Sequence, residues 1–227
     1  LHRQEKENPQ SNEEAMASLR GNVTSKDPKK VGRIFTAKVV ELGLANYPGF
    51  FGKSVPGSGA PFILYWPALI QSKYVKEALH IGEKTVEITP TNQLGLDEHS
   101  YQKEEQKIPQ LMSKDYRQIH FGRIYGTRSG DKGGCANLGV WAKTEKAFAF
   151  LYHFLTVDRL KQLLPDIANF PIDRYELANI KSLNFYIHGI LQDGVSSNTR
   201  TDAQAKSLGE YLRAKLVDVP VEIIEEL

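Results

Sequence analysis

The chain has one cysteine, Cys135, among 227 residues. One thiol excludes an internal disulfide framework and cannot furnish a cysteine zinc cluster. Histidine is sparse too. His2, His80, His99, His120, His153 and His188 are the full set, no two stand four residues apart, and H-E-x-x-H is absent. No apolar run approaches the roughly 18–20 residues that a membrane-spanning helix needs. Charge of one sign is not in excess: 29 Lys and Arg against 27 Asp and Glu leave a formal net charge of +2. A protein that binds nucleic acid by neutralising phosphates carries a larger, clustered basic excess. The polar stretch Leu1 to Gln10 lacks the apolar core of a signal peptide. It also lacks a starting Met, as expected of a processed chain or a piece of a longer one. These absences predict a cytoplasmic protein in a reducing compartment, with no nucleic acid, membrane or metal partner. Dinucleotide and phosphate-loop fingerprints are missing, so no cofactor is expected.

Hydrophobic residues make up 41% and charged residues 25%, which fits a folded globular chain and not a disordered one. The length suits one large domain or two small ones. Residues 1–12 are polar and read as a disordered tail. Residues 13–92 form a first region. In it, Asp27-Pro28 supplies an N-cap and an N1 proline. Val31, Phe35, Val39 and Leu42 then recur at helical spacing, which predicts a helix over 29–45. A stretch rich in Gly, Pro and aromatics follows, with Phe62 to Trp66 as a buried strand. Tyr74 to Ile81 and Lys84 to Ile88 alternate weakly as strands. Residues 93–115 are polar, without a period, and read as a linker.

Residues 116–227 are more regular. Gln118 to Gly126 alternates and predicts a strand, and Arg128 to Gly134 reads as a glycine-rich loop. Ala136 to Ala142 is a second strand. Lys146 to Leu164 is helical, with a break where Thr156 can cap a second piece. Asp173 to Leu177 and Leu183 to Leu191 are strands, Thr201 to Leu216 is an amphipathic helix, and Val219 to Ile224 is a closing strand. The order β-β-α-β-β-α-β predicts an α+β sandwich with helices on one face of a mainly antiparallel sheet. It is close to a ferredoxin-like split β-α-β with an extra strand.

The strongest chemical signal is GTRSGDKGG, Gly126 to Gly134. Four glycines in nine residues let backbone N–H groups turn toward an anion, and Arg128 and Lys132 add positive charge. Asp131 could hold a cation or move a proton. The competing reading is a hairpin loop that needs its glycines only for turning. Cys135 follows directly, either as a nucleophile or as a small buried residue at a strand start. His188, in an apolar strand, reads as a satisfied sheet-face or core histidine. A second polar cluster, Gly194 to Asp202, precedes the last helix, and Arg200 beside a helix N-terminus would make an anion site. G-x-S-x-G is absent.

RSGDKGGCANLGVWA, Arg128 to Ala142, resembles the ARSGDKG-x-x-ANIGV motif of the AtuA family, the acyclic terpene utilisation proteins. Lys26 to Phe51 with Tyr65 to Ile70 is similar to the end of that family's large N-terminal domain. Tyr175 to Asn179, Leu183 to Phe185 and Asp193 to Leu212 are similar to its small ferredoxin-like domain. The resemblance implies the breakdown of acyclic terpenes through acyl-CoA thioesters. Arg128, Ser129, Gly130, Asp131, Lys132, Gly133 and Asn137 transfer as motif positions of unassigned role. Gly134 and Cys135 fall at variable places in the motif. The expectation is a protein that binds an anionic small molecule, such as an acyl-CoA. Arg128 and Lys132 would hold the anion, and Ser129 and Asp131, the candidate catalytic groups, would orient it or move a proton. The rival expectation is a non-catalytic oligomerisation or docking module, either a homo-oligomer or a subunit of a partner enzyme.

Overall fold

The computed structural model describes residues 9–45, 48–52, 54, 57–88, 107–111 and 113–226. Residues 1–8 of the expected tail and most of the expected linker lie outside them. Contacts divide the chain into two compact units, Leu1–Phe62 and Ile63–Leu227.

In the first unit Asp27 caps as its sequence requires: Oδ1 accepts from Lys29 N at 3.0 Å, with Pro28 at the first helical position. The single expected helix is two, α1 (Pro28–Val31) and α2 (Arg33–Leu44). Gly32 breaks them, with ψ at −131° in place of a helical value. Ile34, Val40 and Leu42 remain exposed.

The second unit opens with an irregular apolar stretch, and here the expected buried strand, Phe62 to Trp66, is corrected. No strand forms, and Trp66 is 86% exposed. Pro61 and Pro67 bracket the run and cannot donate to a ladder. Tyr65 N makes one backbone bond, to Asp193 O at 3.0 Å. A hairpin follows, β1 (Glu77–Ile81) and β2 (Lys84–Ile88), with Gly82 at φ +58° in its turn. Every residue of both strands is exposed.

The remaining elements build the core. The one strand expected over 118–126 is β3 (Tyr116–His120), followed by a 3₁₀ turn at Phe121–Arg123. The expected glycine-rich loop is instead a strand, β4 (Gly126–Lys132), paired residue for residue with β5 (Cys135–Trp141). Only Gly133 and Gly134 turn the chain. Then come α3 (Glu145–Phe154), α4 (Val157–Leu163), β6 (Ile172–Leu177), β7 (Ser182–Ile187), α5 (Leu208–Arg213), β8 (Leu216–Pro220) and α6 (Val221–Ile224). The expected break between α3 and α4 is there: Thr156 Oγ1 accepts from Arg159 N at 3.1 Å. Three further boundaries differ. β7 ends at Ile187, because the chain turns at Gly189, whose φ is +68°. The last helix starts at Leu208 and not Thr201, because the Asp202 carboxylate takes the Lys206 and Ser207 N–H groups, each at 2.8 Å, in a turn. The closing strand stops at Pro220, and α6 follows.

The main sheet runs β4-β5-β7-β6 with every neighbour antiparallel. β5 and β6 therefore run the same way, are separated by β7 and are joined through α3 and α4: a split β-α-β unit. β8 does not reach β5. β4 holds that place, and β8 pairs with β3 in a separate ribbon. The architecture is α+β and ferredoxin-like, with helices over one face. Alternate residues of β5 (Ala136, Leu138, Val140) and β7 (Leu183, Phe185, Ile187) are fully or nearly fully buried against Phe148, Leu151, Leu160 and Leu212. Each such valine, leucine, isoleucine or phenylalanine contributes about 1.5–3 kcal/mol by leaving water. The same alternation turns the intervening residues to the opposite, open face.

Candidate functional site

Register defines the open face. On β4 it carries Arg128 and Lys132, which lie opposite Gly139 and Cys135 of β5. Asn137 lies opposite Gly130 on one side and Tyr186 on the other. Asp173 and Tyr175 of β6 face Tyr186 and Asn184. The structure thus brings together Arg128, Gly130, Lys132 and Asn137. Arg128 is exposed, and its guanidinium has no hydrogen-bond or ion-pair partner among the described residues. Lys132 Nζ donates to Asp131 O at 2.9 Å, and Asn137 Nδ2 donates to Asn184 Oδ1 at 3.4 Å.

The structure separates the others from this set. Ser129 points to the helical side and is 7% exposed. Its hydroxyl donates to Lys206 O at 3.2 Å and accepts from Gly209 N at 2.9 Å. It is a clip between β4 and α5, with both hydrogen-bonding functions engaged. Asp131 lies on the same side as Ser129, with Oδ1 3.9 Å from Lys206 Nζ. Gly133 sits in the turn at φ +64°, where a Cβ would press on the Tyr65 ring at 2.7 Å. Arg200 is not at a helix N-terminus, since α5 begins only at Leu208. Its Nη2 pairs with Asp166 Oδ2 at 3.1 Å, and its N–H donates to Asn198 Oδ1 at 3.1 Å.

Two groupings escaped the sequence, although Cys135 and His188 were each singled out there. At the Lys132 end of the open face, His188 Nε2 and Asp173 Oδ2 are 2.8 Å apart. The His188 ring meets Tyr186 edge-on, with centroids 4.9 Å apart. Gly189 N donates to Cys135 Sγ at 3.5 Å. A hydrogen bond between the Tyr186 phenol and Cys135 raises the Tyr186 pKa above the usual tyrosine value, with burial and the cysteine charge adding to the effect. Thiol, phenol, imidazole and carboxylate are thereby gathered from β5, β6 and the end of β7. The signal in the sequence was the alternation in NFYIH, which puts Asn184, Tyr186 and His188 on one face.

The second group lies at the outer edge of β4, where Thr127, Arg128, Trp141 and Lys206 line an open cleft of about 260 Å³. Thr127 is 8% exposed, and its Oγ1 has no partner among the described residues. A buried hydroxyl left unpaired costs about 1–3 kcal/mol.

Sheet order, the split crossover and the one-sided helical layer define a ferredoxin-like α+β domain. The family model of the AtuA ferredoxin-like domain matches residues 119–218, and that of the acyclic terpene utilisation family protein AtuA matches residues 1–81. The chain belongs to the acyclic terpene utilisation family, and this membership supports a role in terpene catabolism. No curated protein and no solved structure matches it. Among the described residues no helix is long and apolar enough to cross a membrane.

Proposed function

We propose that the protein works in the cytoplasm in the breakdown of acyclic terpenoids or branched acyl groups, holding an anionic acyl derivative, an acyl-CoA, along β4. One observation carries this reading. Arg128, exposed and without a partner among the described residues, stands on the same face of one strand as Lys132, beside the Asn137–Asn184 amide pair. Two cations four residues apart on one face of a strand suit an extended polyanion better than a single charge. Because Gly126–Lys132 is a strand paired with β5, no backbone nest contributes. The test is a thermal-shift series with CoA, terpenoyl-CoA thioesters, the free acids and phosphate. A ligand at about 100 times its Kd adds about 2.7 kcal/mol of stability. A shift with a thioester that disappears in Arg128→Ala/Lys132→Ala is expected. Equal affinity in the double variant overturns the reading.

A second reading, an oligomerisation or docking module, has its own observation. Ile63, Leu64, Trp66, Leu69 and Ile70 form a run of exposed apolar side chains. Such a run suits contact with a second copy or an enzyme subunit. Sedimentation as a monomer that takes up no partner counts against it.

A further inference from the structure

Three glycines lie against the walls of one cleft, and two of them, Gly126 and Gly209, clear space that a Cβ would fill. A Cβ at Gly126 would collide with the Trp141 ring, so only glycine lets the indole lie across β4. A Cβ at Gly130 would stand 3.0 Å from Lys206 Nζ, and one at Gly209 would stand 2.8 Å from Thr127 Oγ1. All the side chains thus admitted line the cleft at the outer edge of β4. Two of these glycines belong to the stretch whose composition suggested a turning loop. In a strand they have no turn to make, and Gly126 provides the space in which the indole lies.

The charges at the cleft do not balance. Glu210 at its rim is 3.6 Å from Arg213 Nε, and Lys206 is 3.9 Å from Asp131. Arg128 is left over, with no partner among the described residues. The Ser129 hydroxyl is spent on Lys206 O and Gly209 N. Thr127 lines the cleft, and its Oγ1 is buried with no partner among the described residues. Two cations, a threonine with an unspent hydroxyl and an indole lining one cleft are the parts of a site for an anion on an apolar body.

We propose that this cleft binds an oxyanion, carboxylate or phosphate, carried on a flat unsaturated body. Arg128 and Lys206 hold the oxyanion, Thr127 Oγ1 donates to it, and Trp141 stacks on the body. The proposal deepens the function proposed above, on which its biological setting rests, and moves the anion's second cation from Lys132 to Lys206.

Calorimetric titration tests it with three probes: geranic acid, CoA and inorganic phosphate. The proteins are wild type, Lys206→Ala, Thr127→Val and, as a charge control, Lys114→Ala on the exposed approach to β3. At least one probe is expected to bind wild type. Lys206→Ala and Thr127→Val should each weaken it tenfold or more, and Lys114→Ala should leave it unchanged. Thr127→Val keeps the shape and removes the unpaired hydroxyl, so its melting temperature should not fall. That separates lost binding from lost folding. Geranic acid alone would identify a carboxylate site; CoA and phosphate together would identify a phosphate site. The cleft is refuted if both variants bind every probe like wild type, or if wild type binds none. If Arg128→Ala/Lys132→Ala still abolishes thioester binding in that case, the broader function survives without it. Loss of geranic acid in both variants, with no CoA thioester bound by wild type, keeps the cleft and removes the acyl-CoA reading.

Discussion

Residues 9–88 and residues 113–226 are both well supplied with apolar side chains, yet only the second stretch buries any. Among the described residues of the first, not one is buried. In the second, β5 and β7 alone supply six buried aliphatic or aromatic residues. Composition does not separate them: FILYW is as apolar as LNFYI. The difference is pairing. LNFYI has β5 on one side and β6 on the other, so alternate side chains are pressed into a helical layer. FILYW lies between prolines and has one backbone bond among the described residues. Hydrophobicity drives burial only when the backbone polar groups also find partners.

The sharpest way to break this contrast is to truncate one apolar residue in each region. Leu138→Ala, in the centre of β5, should cost about 2–5 kcal/mol in urea unfolding. Leu69→Ala should change stability by no more than about 0.5 kcal/mol. Equal losses would mean that Leu69 is covered in solution and that the first region has a partner there.

Next in size is the clip from β4 to α5. Ser129→Ala leaves Gly209 N without its acceptor at a buried site and should cost about 1–3 kcal/mol. This residue also tests the choice between a structural and a chemical role for the motif. If Ser129→Ala loses ligand binding while its unfolding midpoint stays at the wild-type value, the clip is not its main task.

The same device, an N-cap, occurs in both regions. Thr156→Ala should cost about 1 kcal/mol of global stability, because α4 is anchored through Leu160. Asp27→Ala removes an equivalent bond from α1, which buries nothing. It should reduce helicity by circular dichroism without moving the unfolding midpoint.

How much could be read beforehand follows the same line. β5, β7, the paired helices and the α+β class were legible, because their periodicity is written in their own residues. β4 was not. GTRSGDK has two glycines and three charges, and its strand character comes from β5, which lies alongside it. Its glycines looked like turn residues, although Gly126 serves close packing against the Trp141 ring. α5 was overdrawn for a similar reason: Ala205, Leu208 and Leu212 fit a helical face, but Asp202 captures the backbone that would have started it. Of the candidate site, the cations Arg128 and Lys132 were legible from type and spacing. Lys206 and Asp173 were not, nor was the pairing of His188 with Asp173, because only the sheet register and the α5 packing bring them near.

The smallest expected effect concerns Tyr186, and it ties the open face to its thiol. Its phenol ionises above the usual tyrosine range, first because of the hydrogen bond with Cys135 and then through burial and the cysteine's charge. A raised folded value favours the neutral phenol in the native state. The contribution to stability is therefore complete below the unfolded tyrosine pKa and is lost as pH rises through the folded one. Absorbance titration of wild type against Tyr186→Phe isolates this single phenol among the chain's tyrosines. Cys135→Ala should bring its midpoint down toward the ordinary value, because the main cause is removed. A midpoint unchanged in Cys135→Ala would assign the shift to burial, and the thiol and phenol would then be neighbours without being coupled.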